Sequence, residues 1–310
     1  MATYRYVVAD VFTDTPLQGN QLAVFTDATA IPEELLQPLA REMNFSETVF
    51  CYPPTRPAPP DETASEGALH QEGNAETVFV LPPQEGGHAR IRIFTPAFEV
   101  PFAGHPTLGT AFVLAGPLQA DEIRLETGSG VVPVRLEREG PKIVFGRMSQ
   151  PLPTIGPFPA ERALLAGLGL ERSELPVELY DNGIPHVYVC LRGRDAVAAL
   201  EPDLVSLARL SATLGINCFA GEGTRWKTRM FAPGGGVAED PATGSAAGPL
   251  ALHLARHGRI AFGDEIEISQ GAEAGRPSTL YARAVGSAEQ LEAVEVGGSA
   301  VVVARGEFRL

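Results

Sequence analysis

The chain has 310 residues, more than a single hydrophobic core usually fills, so two domains, or one domain with large insertions, are expected. With 44% hydrophobic and 20% charged residues it is not a mainly disordered chain, and no apolar run is long enough to span a membrane. A formal charge of −14 repels nucleic-acid phosphates and anionic membrane surfaces, which excludes both as expected partners. Cys51, Cys190 and Cys218 are an odd set without C-x-x-C spacing, and residues 1–11 carry no basic-then-apolar signal. A reducing cytoplasm is the expected compartment.

Tyr4 to Phe12 is a β-branched and aromatic run, and Gln21 to Phe25 resumes one after Gly19-Asn20, which reads as strand, turn, strand. Pro32, Glu33 and Glu34, followed by Leu35, Leu36, Leu39 and Met43, have the first-turn signals and apolar spacing of an amphipathic helix ending near Asn44. The segment 53–76 is rich in proline and acids and reads as a solvated loop insertion.

Beyond it the chain echoes itself. Arg92-Ile-Phe94-Thr-Pro96 precedes the turn Gly104-His105 and an apolar helix from His105 to Ala115. Arg229-Met-Phe231-Ala-Pro233 precedes Gly244-Ser245 and a second helix from Ser245 to Arg256. The first motif repeats after 137 residues and the second after 140, a slip of three. A helix from Pro202, with Leu204, Leu207 and Leu210 on its apolar face, matches the one from Pro32. A large offset used twice indicates duplicated halves and not a solenoid. Both echoed helices are apolar or small nearly all round, as in buried helices, so each half is expected to be a curved sheet around one central helix.

Three places can carry chemistry. With strand alternation Phe45, Glu47 and Val49 share a face, and a carboxyl among apolar neighbours has its charged form disfavoured, as a general acid or base near neutrality requires. The plainer alternative is an edge-strand Glu facing water. Gly104 with His105, and Gly244 with Ser245 after Asp240, each open a helix, where free N–H groups and the dipole attract anions. Ser245 can equally be an N-cap and His105 a turn residue, but two matching sites in duplicated halves favour one shared ligand.

Other motifs are absent. Gly244-Ser245-Ala-Ala-Gly248 is out of step with a nucleophile elbow, and Gly234-Gly235-Gly236 lacks the partners of a phosphate loop or dinucleotide fingerprint. His253 and His257 are an i, i+4 pair without the H-E-x-x-H glutamate, and no metal site is expected.

Taken together, several ordered motifs resemble the PhzF family of phenazine-biosynthesis-like proteins, which share the diaminopimelate epimerase fold. They are Asp10-x-Phe12, Gly19-Asn20 with Ala23-Val24, Asn44-x-Ser46-Glu47-Thr48, the two R-x-F-x-P motifs with their helix turns, and Gln270-Gly271 with Gly275-Arg276-Pro277. The resemblance implies an α+β fold of two similar lobes, a cofactor-independent site in the cleft, and a homodimer. It divides the chain into an N-terminal lobe 1–118, a C-terminal lobe 119–295, and a terminal strand 296–310 that crosses back. It also implies that Glu47 is the general acid/base, that His105 and Asp240 hold and help protonate the substrate, and that Gly104, Gly244 and Ser245 bind its anionic group. Epimerases of this fold use two cysteines just before those glycines, where this chain has Ala103 and Thr243, so two-base racemisation by that route is excluded. The expected activity is a cofactor-free isomerase moving a proton on a small carboxylate-bearing substrate. The alternatives are a non-catalytic binding module and a hydrolase using Ser245, His105 and Asp240.

Overall fold

The computed structural model describes residues 1–55 and 86–310. Residues 56–76 of the expected loop insertion therefore lie outside the described residues.

The first half contributes β1 (Thr3–Val11), β2 (Asn20–Phe25), β3 (Glu47–Tyr52), β4 (Ala89–Phe94) and the short β5 (Glu99–Val100). It continues with β6 (Glu122–Thr127), β7 (Gly130–Glu139) and β8 (Lys142–Gln150). Its helices are α1 (Glu33–Met43) and α2 (Gly104–Leu118). The second half begins with β9 (Thr154–Pro157), α3 (Glu161–Gly167), β10 (Glu178–Asp181), β11 (Pro185–Cys190), α4 (Arg194–Ala198) and α5 (Leu204–Ala208). It continues with β12 (Gly215–Glu222), β13 (Arg225–Ala232), β14 (Val237–Asp240), α6 (Gly244–Arg256), β15 (Ile266–Gln270), β16 (Ser278–Gly286), β17 (Leu291–Gly298) and β18 (Ala300–Arg309).

The pairing pattern occurs twice. β1–β2 is antiparallel, β2–β3 parallel, β3–β4 antiparallel, β4–β6 parallel, and β6–β7–β8 antiparallel, with β5 on β4. The same sequence of directions runs β10–β11, β11–β12, β12–β13, β13–β15 and β15–β16–β17, with β14 on β13. By hydrogen bonding the first series extends past residue 118 to Gln150, because β6 joins β4 and carries β7 and β8 with it. The series meet where β8 pairs with β17, while β9 pairs with β10 and β18 with β1.

Each series wraps an apolar helix. In α2, Leu108, Ala111 and Ala115 are fully buried against strands of the first half, and in α6 every residue from Gly244 to Ala255 is buried. Small residues all round let strands approach from every side. α1 is amphipathic instead: it has acids in its first turn, Arg41 in its last, and Asn44 in the left-handed conformation that ends a helix. Its buried Leu36 and Leu39 join a separate aromatic cluster in which Phe25 and Phe50 stack at 4.9 Å. The helix expected from Pro202 shrinks to the five residues of α5, capped by Asp203 accepting from the Val205 and Ser206 amides. Only Leu207 of its expected face is fully buried, which is too little apolar surface to hold a longer helix.

Candidate active site

The two central helices meet head to head. A Cβ on Gly104 would lie 2.3 Å from the Gly244 carbonyl carbon and 2.3 Å from the Ser245 nitrogen, and one on Gly244 would lie 3.0 Å from the Gly104 backbone. Glycine is required here by close approach. Neither helix has a side-chain cap or an acid in its first turn, so the partial positive charge of both N-termini converges at one place.

Beside this junction lies a cavity of about 240 Å³ with walls from both halves. Ser46, Glu47 and the Thr95–Pro101 hairpin line one side, and Ile184, His186, Met230, Asp240, Thr243 and Ser245 line another. Glu47 opens β3, with its side chain 15% exposed at the cavity. Its pKa is raised well above the ordinary carboxylate range, first by burial and then by the negative charge of Asp240. Because β3 begins at Glu47, Phe45 lies outside the strand, and the apolar residues lining the cavity are Phe98, Val100, Ile184 and Met230 in place of the expected Phe45 and Val49; the second carboxylate was not expected either.

Asp240 ends β14 and accepts hydrogen bonds from Asn20 Nδ2 at 2.8 Å and Thr243 Oγ1 at 2.6 Å. Burial raises its pKa, and those bonds work the other way without reversing the direction. Of the pair, Glu47 is the one left able to carry a proton, since its Oε2 has no hydrogen-bond partner among the described residues. His105, the second residue of α2, is 2% exposed with Nδ1 3.5 Å from that Oε2. Burial lowers its pKa to about 3, so it is a neutral ring at working pH. Asn20 Nδ2 has three neighbours for two hydrogens, and the shorter contacts are to Asp240 and the Ala242 carbonyl at 2.9 Å, leaving His105 Nδ1 at 3.1 Å as the weakest.

The structure thus brings Glu47, His105 and Asp240 together, and sets Ser245 in the same cavity wall. Gly104, Gly244 and His105 do not themselves line the cavity but adjoin residues that do, His105 meeting Glu47 and Gly244 preceding Ser245. Ser245 is not an N-cap: Thr243 precedes the helix and Ser245 is its second residue. Its hydrogen-bond partner is not His105 but His186, with Nε2 3.0 Å from Oγ, so the Ser245–His105–Asp240 hydrolase arrangement is not formed. His186, Asn217 and Gln270 are parts of the site that sequence reasoning left without a role. Gln270 donates to the Asp240 carbonyl at 2.8 Å and to Thr243 Oγ1 at 2.9 Å, bracing the loop that presents Asp240. A histidine inside the apolar run of β11 was the available signal for His186, because such a polar group needs a partner.

His253 and His257 sit at the end of α6 and both meet Glu178, at 3.3 and 3.0 Å. Arg256 reaches the same carboxylate oxygen at 2.9 Å, which makes this a charge cluster already neutralised by a cation. Arg276 joins the remaining motifs, bonding Asp10 and the carbonyls of Gln18 and Gly19, so the glycine turn before Asn20 is clamped from the second half. Among the described residues no helix is long and apolar enough to cross a membrane.

The profile of the PhzC-PhzF family, described as phenazine biosynthesis-like protein, matches residues 9–64 and 69–306. The chain is 48% identical to a trans-2,3-dihydro-3-hydroxyanthranilate isomerase of Pseudomonas aeruginosa, over 99% of this chain and 100% of that one. The enzyme of the same name from Pseudomonas fluorescens is 46% identical with the same coverage. Among solved structures, a predicted epimerase of Pseudomonas aeruginosa superposes with a TM-score of 0.74 at 28% identity, covering 98% of this chain and 99% of that one. The fold extends to a probable proline racemase of Agrobacterium radiobacter, with a TM-score of 0.65 at 12% identity over 99% of this chain and 93% of that one. With these relatives and this two-lobed α+β architecture, the chain belongs to the PhzC-PhzF family of phenazine biosynthesis-like proteins and is an isomerase.

Proposed function

We propose that this chain isomerises trans-2,3-dihydro-3-hydroxyanthranilate, the compound in its relatives' name, by cofactor-free proton transfer with Glu47 as the general acid and base. The observation that carries the reading is Glu47 itself. It is a carboxyl on the wall of a small cavity, its pKa raised by burial and by the charge of Asp240, with an oxygen free of other bonds among the described residues. A group tuned in this way can both take and return a proton near neutrality.

The chemistry of that compound suits one such group. Its carboxylate is on C1, its amine on C2 and its hydroxyl on C3, and the C4=C5 and C6=C1 double bonds connect C3 to C1. Removing the C3 proton leaves charge spread along the diene into the carboxylate. Returning a proton at C1 shifts the double bonds to C3=C4 and C5=C6, and the resulting enol becomes a ketone by a further proton shift. Asp240 and neutral His105 then act as fixed polar groups near the reacting edge. The N-termini of α2 and α6, with Ser245, offer positive potential to the carboxylate. A cavity of about 240 Å³ suits a single ring, being smaller than the roughly 300–1,000 Å³ of drug-sized sites. The buried free thiols of Cys51, Cys190 and Cys218 support a cytoplasmic location, and we read the active form as a homodimer, to be checked by sedimentation.

Glu47→Gln is nearly isosteric and should keep fold and ligand binding while lowering turnover by roughly two orders of magnitude or more. In deuterated water the parent should place solvent deuterium on a ligand carbon and the variant should not. Normal turnover with normal exchange in Glu47→Gln would falsify the assignment and transfer it to His105 or Asp240.

A further inference from the structure

Ser245 lines the cavity, and its Oγ lies 3.0 Å from His186 Nε2. A hydroxyl has one hydrogen and two lone pairs, so what it offers a ligand depends on where its own proton points. That direction is decided on the far side of the imidazole. Asn217 Nδ2 is 3.3 Å from His186 Nδ1, 3.4 Å from the Gly215 carbonyl oxygen and 3.5 Å from the Val187 carbonyl oxygen. Turning the amide over would set its oxygen against two carbonyl oxygens, so the NH₂ group is the end held toward the ring. Facing a donor, Nδ1 accepts, and the proton of the neutral imidazole is on Nε2, directed at Ser245.

Two further observations agree. His186 is 1% exposed, and burial lowers its pKa to about 3, so the ring is neutral at working pH. A Cβ at residue 215 would lie 2.3 Å from His186 Nδ1, so glycine there leaves room for the ring. With Oγ accepting from His186, and making no other hydrogen bond among the described residues, the Ser245 O–H is left to point at a ligand.

We propose that His186, set by Asn217 and Gly215, is a positioning residue that holds Ser245 as a hydrogen-bond donor to the substrate carboxylate. This rests on the cavity being the active site described above. It also assigns the polarity of the serine: a nucleophile would need a bare Nε2 to take its proton, and this one already carries its own.

The first test reads the tautomer directly on the full-length ¹⁵N-labelled protein by two-bond ¹H–¹⁵N correlation, with the ring assigned through its contacts to Gly215 and Ser245. Nε2–H is expected, constant from pH 6 to 8; an Nδ1–H ring or an imidazolium in that range would overturn the proposal. The second uses trans-2,3-dihydro-3-hydroxyanthranilate. His186→Leu should raise KM about tenfold with kcat changed less than about threefold, the loss of roughly one charge-assisted hydrogen bond. His186→Gln, which can again donate to Oγ, should recover part of that loss. Ser245→Ala combined with His186→Leu should cost little more than either alone. A fall in kcat at constant KM, or fully additive losses, would count against the proposal. The tautomer is read without turnover, so its failure is distinct from a failure of the Glu47 assignment.

Discussion

The two halves have one frame but different chemistry. Both carry a bidentate arginine–glutamate pair bridging the hairpin before the central helix: Arg92 with Glu99, and Arg229 with Glu239. The residue four before each helix glycine is Val100 in the first half and Asp240 in the second, and the residue just before it is Ala103 or Thr243. Behind the helix starts, Asn20 reaches His105 in one half, and His186 reaches Ser245 in the other. The junction of helix N-termini is common to both halves, while Glu47, with its raised pKa, stands on one side and the hydrogen-bonded Asp240, Thr243 and Ser245 on the other. The site is asymmetric, as the proposed transfer by a single acid/base group would use it.

The sharpest way to break this comparison is at the junction. A Cβ on Gly104 meets backbone at 2.3 Å, and backbone cannot rotate aside, whereas a Cβ on Gly244 meets Phe12 Cζ at 2.9 Å and the Gly104 backbone at 3.0 Å. Gly104→Ala is expected to cost more than about 3 kcal/mol in urea unfolding or to prevent folding, and Gly244→Ala clearly less. Equal midpoints for the two variants would mean that the helix starts are not pressed together as described.

The arginine pairs come next. Arg229 is nearly buried, with a side chain 9% exposed, and also donates to the Leu200 carbonyl at 2.7 Å and the Ala198 carbonyl at 3.1 Å. Removing it strands a carboxylate and those carbonyls, so Arg229→Ala should cost about 3 kcal/mol. Arg92 spends its second valence on Glu33, which is 71% exposed, and Arg92→Ala should cost about 1 kcal/mol or less. Similar losses would show that the equivalent pairs have remained equivalent in energy.

Much of this frame was legible in the sequence because it is written in local patterns. The R-x-F-x-P echo marks the two arginine pairs, and the three-residue slip in its spacing has a physical location. Glu99 lies seven residues after Arg92, while Glu239 lies ten after Arg229, and the 3₁₀ turn Pro233–Gly235 falls within the longer connection. Glu47 was picked out by its motif, but the residues around it, Phe98, Ile184 and Met230 among them, and its Asp240 partner 193 residues away come from distant segments that no local pattern relates. His186 and Asn217 are brought together by parallel pairing of β11 with β12, and the true extent of the first series by pairing of β6 with β4. Long-range register of this kind leaves no periodicity to read.

The smallest effect expected concerns what the asymmetry costs in stability. Glu47 has a folded pKa above its ordinary value of 4.5, so between 4.5 and the raised value the folded chain retains a proton that the unfolded chain has released. The folded state then binds more protons, and stability falls as pH rises through that window, remaining lower by the full amount above it. His105 and His186 act in the opposite sense: neutral when folded, they lose stability as pH falls below about 6.5, because the unfolded chain protonates them first. Comparing the parent with Glu47→Gln cancels most of the histidine contribution, since both chains retain those rings. The variant should therefore be more stable than the parent at pH 8, and the two should converge near pH 4. Urea midpoints at the two pH values measure this. If Glu47→Gln gains nothing at pH 8, the carboxyl is solvated in the folded state, and the first half contributes no tuned group to set against Asp240 and Ser245.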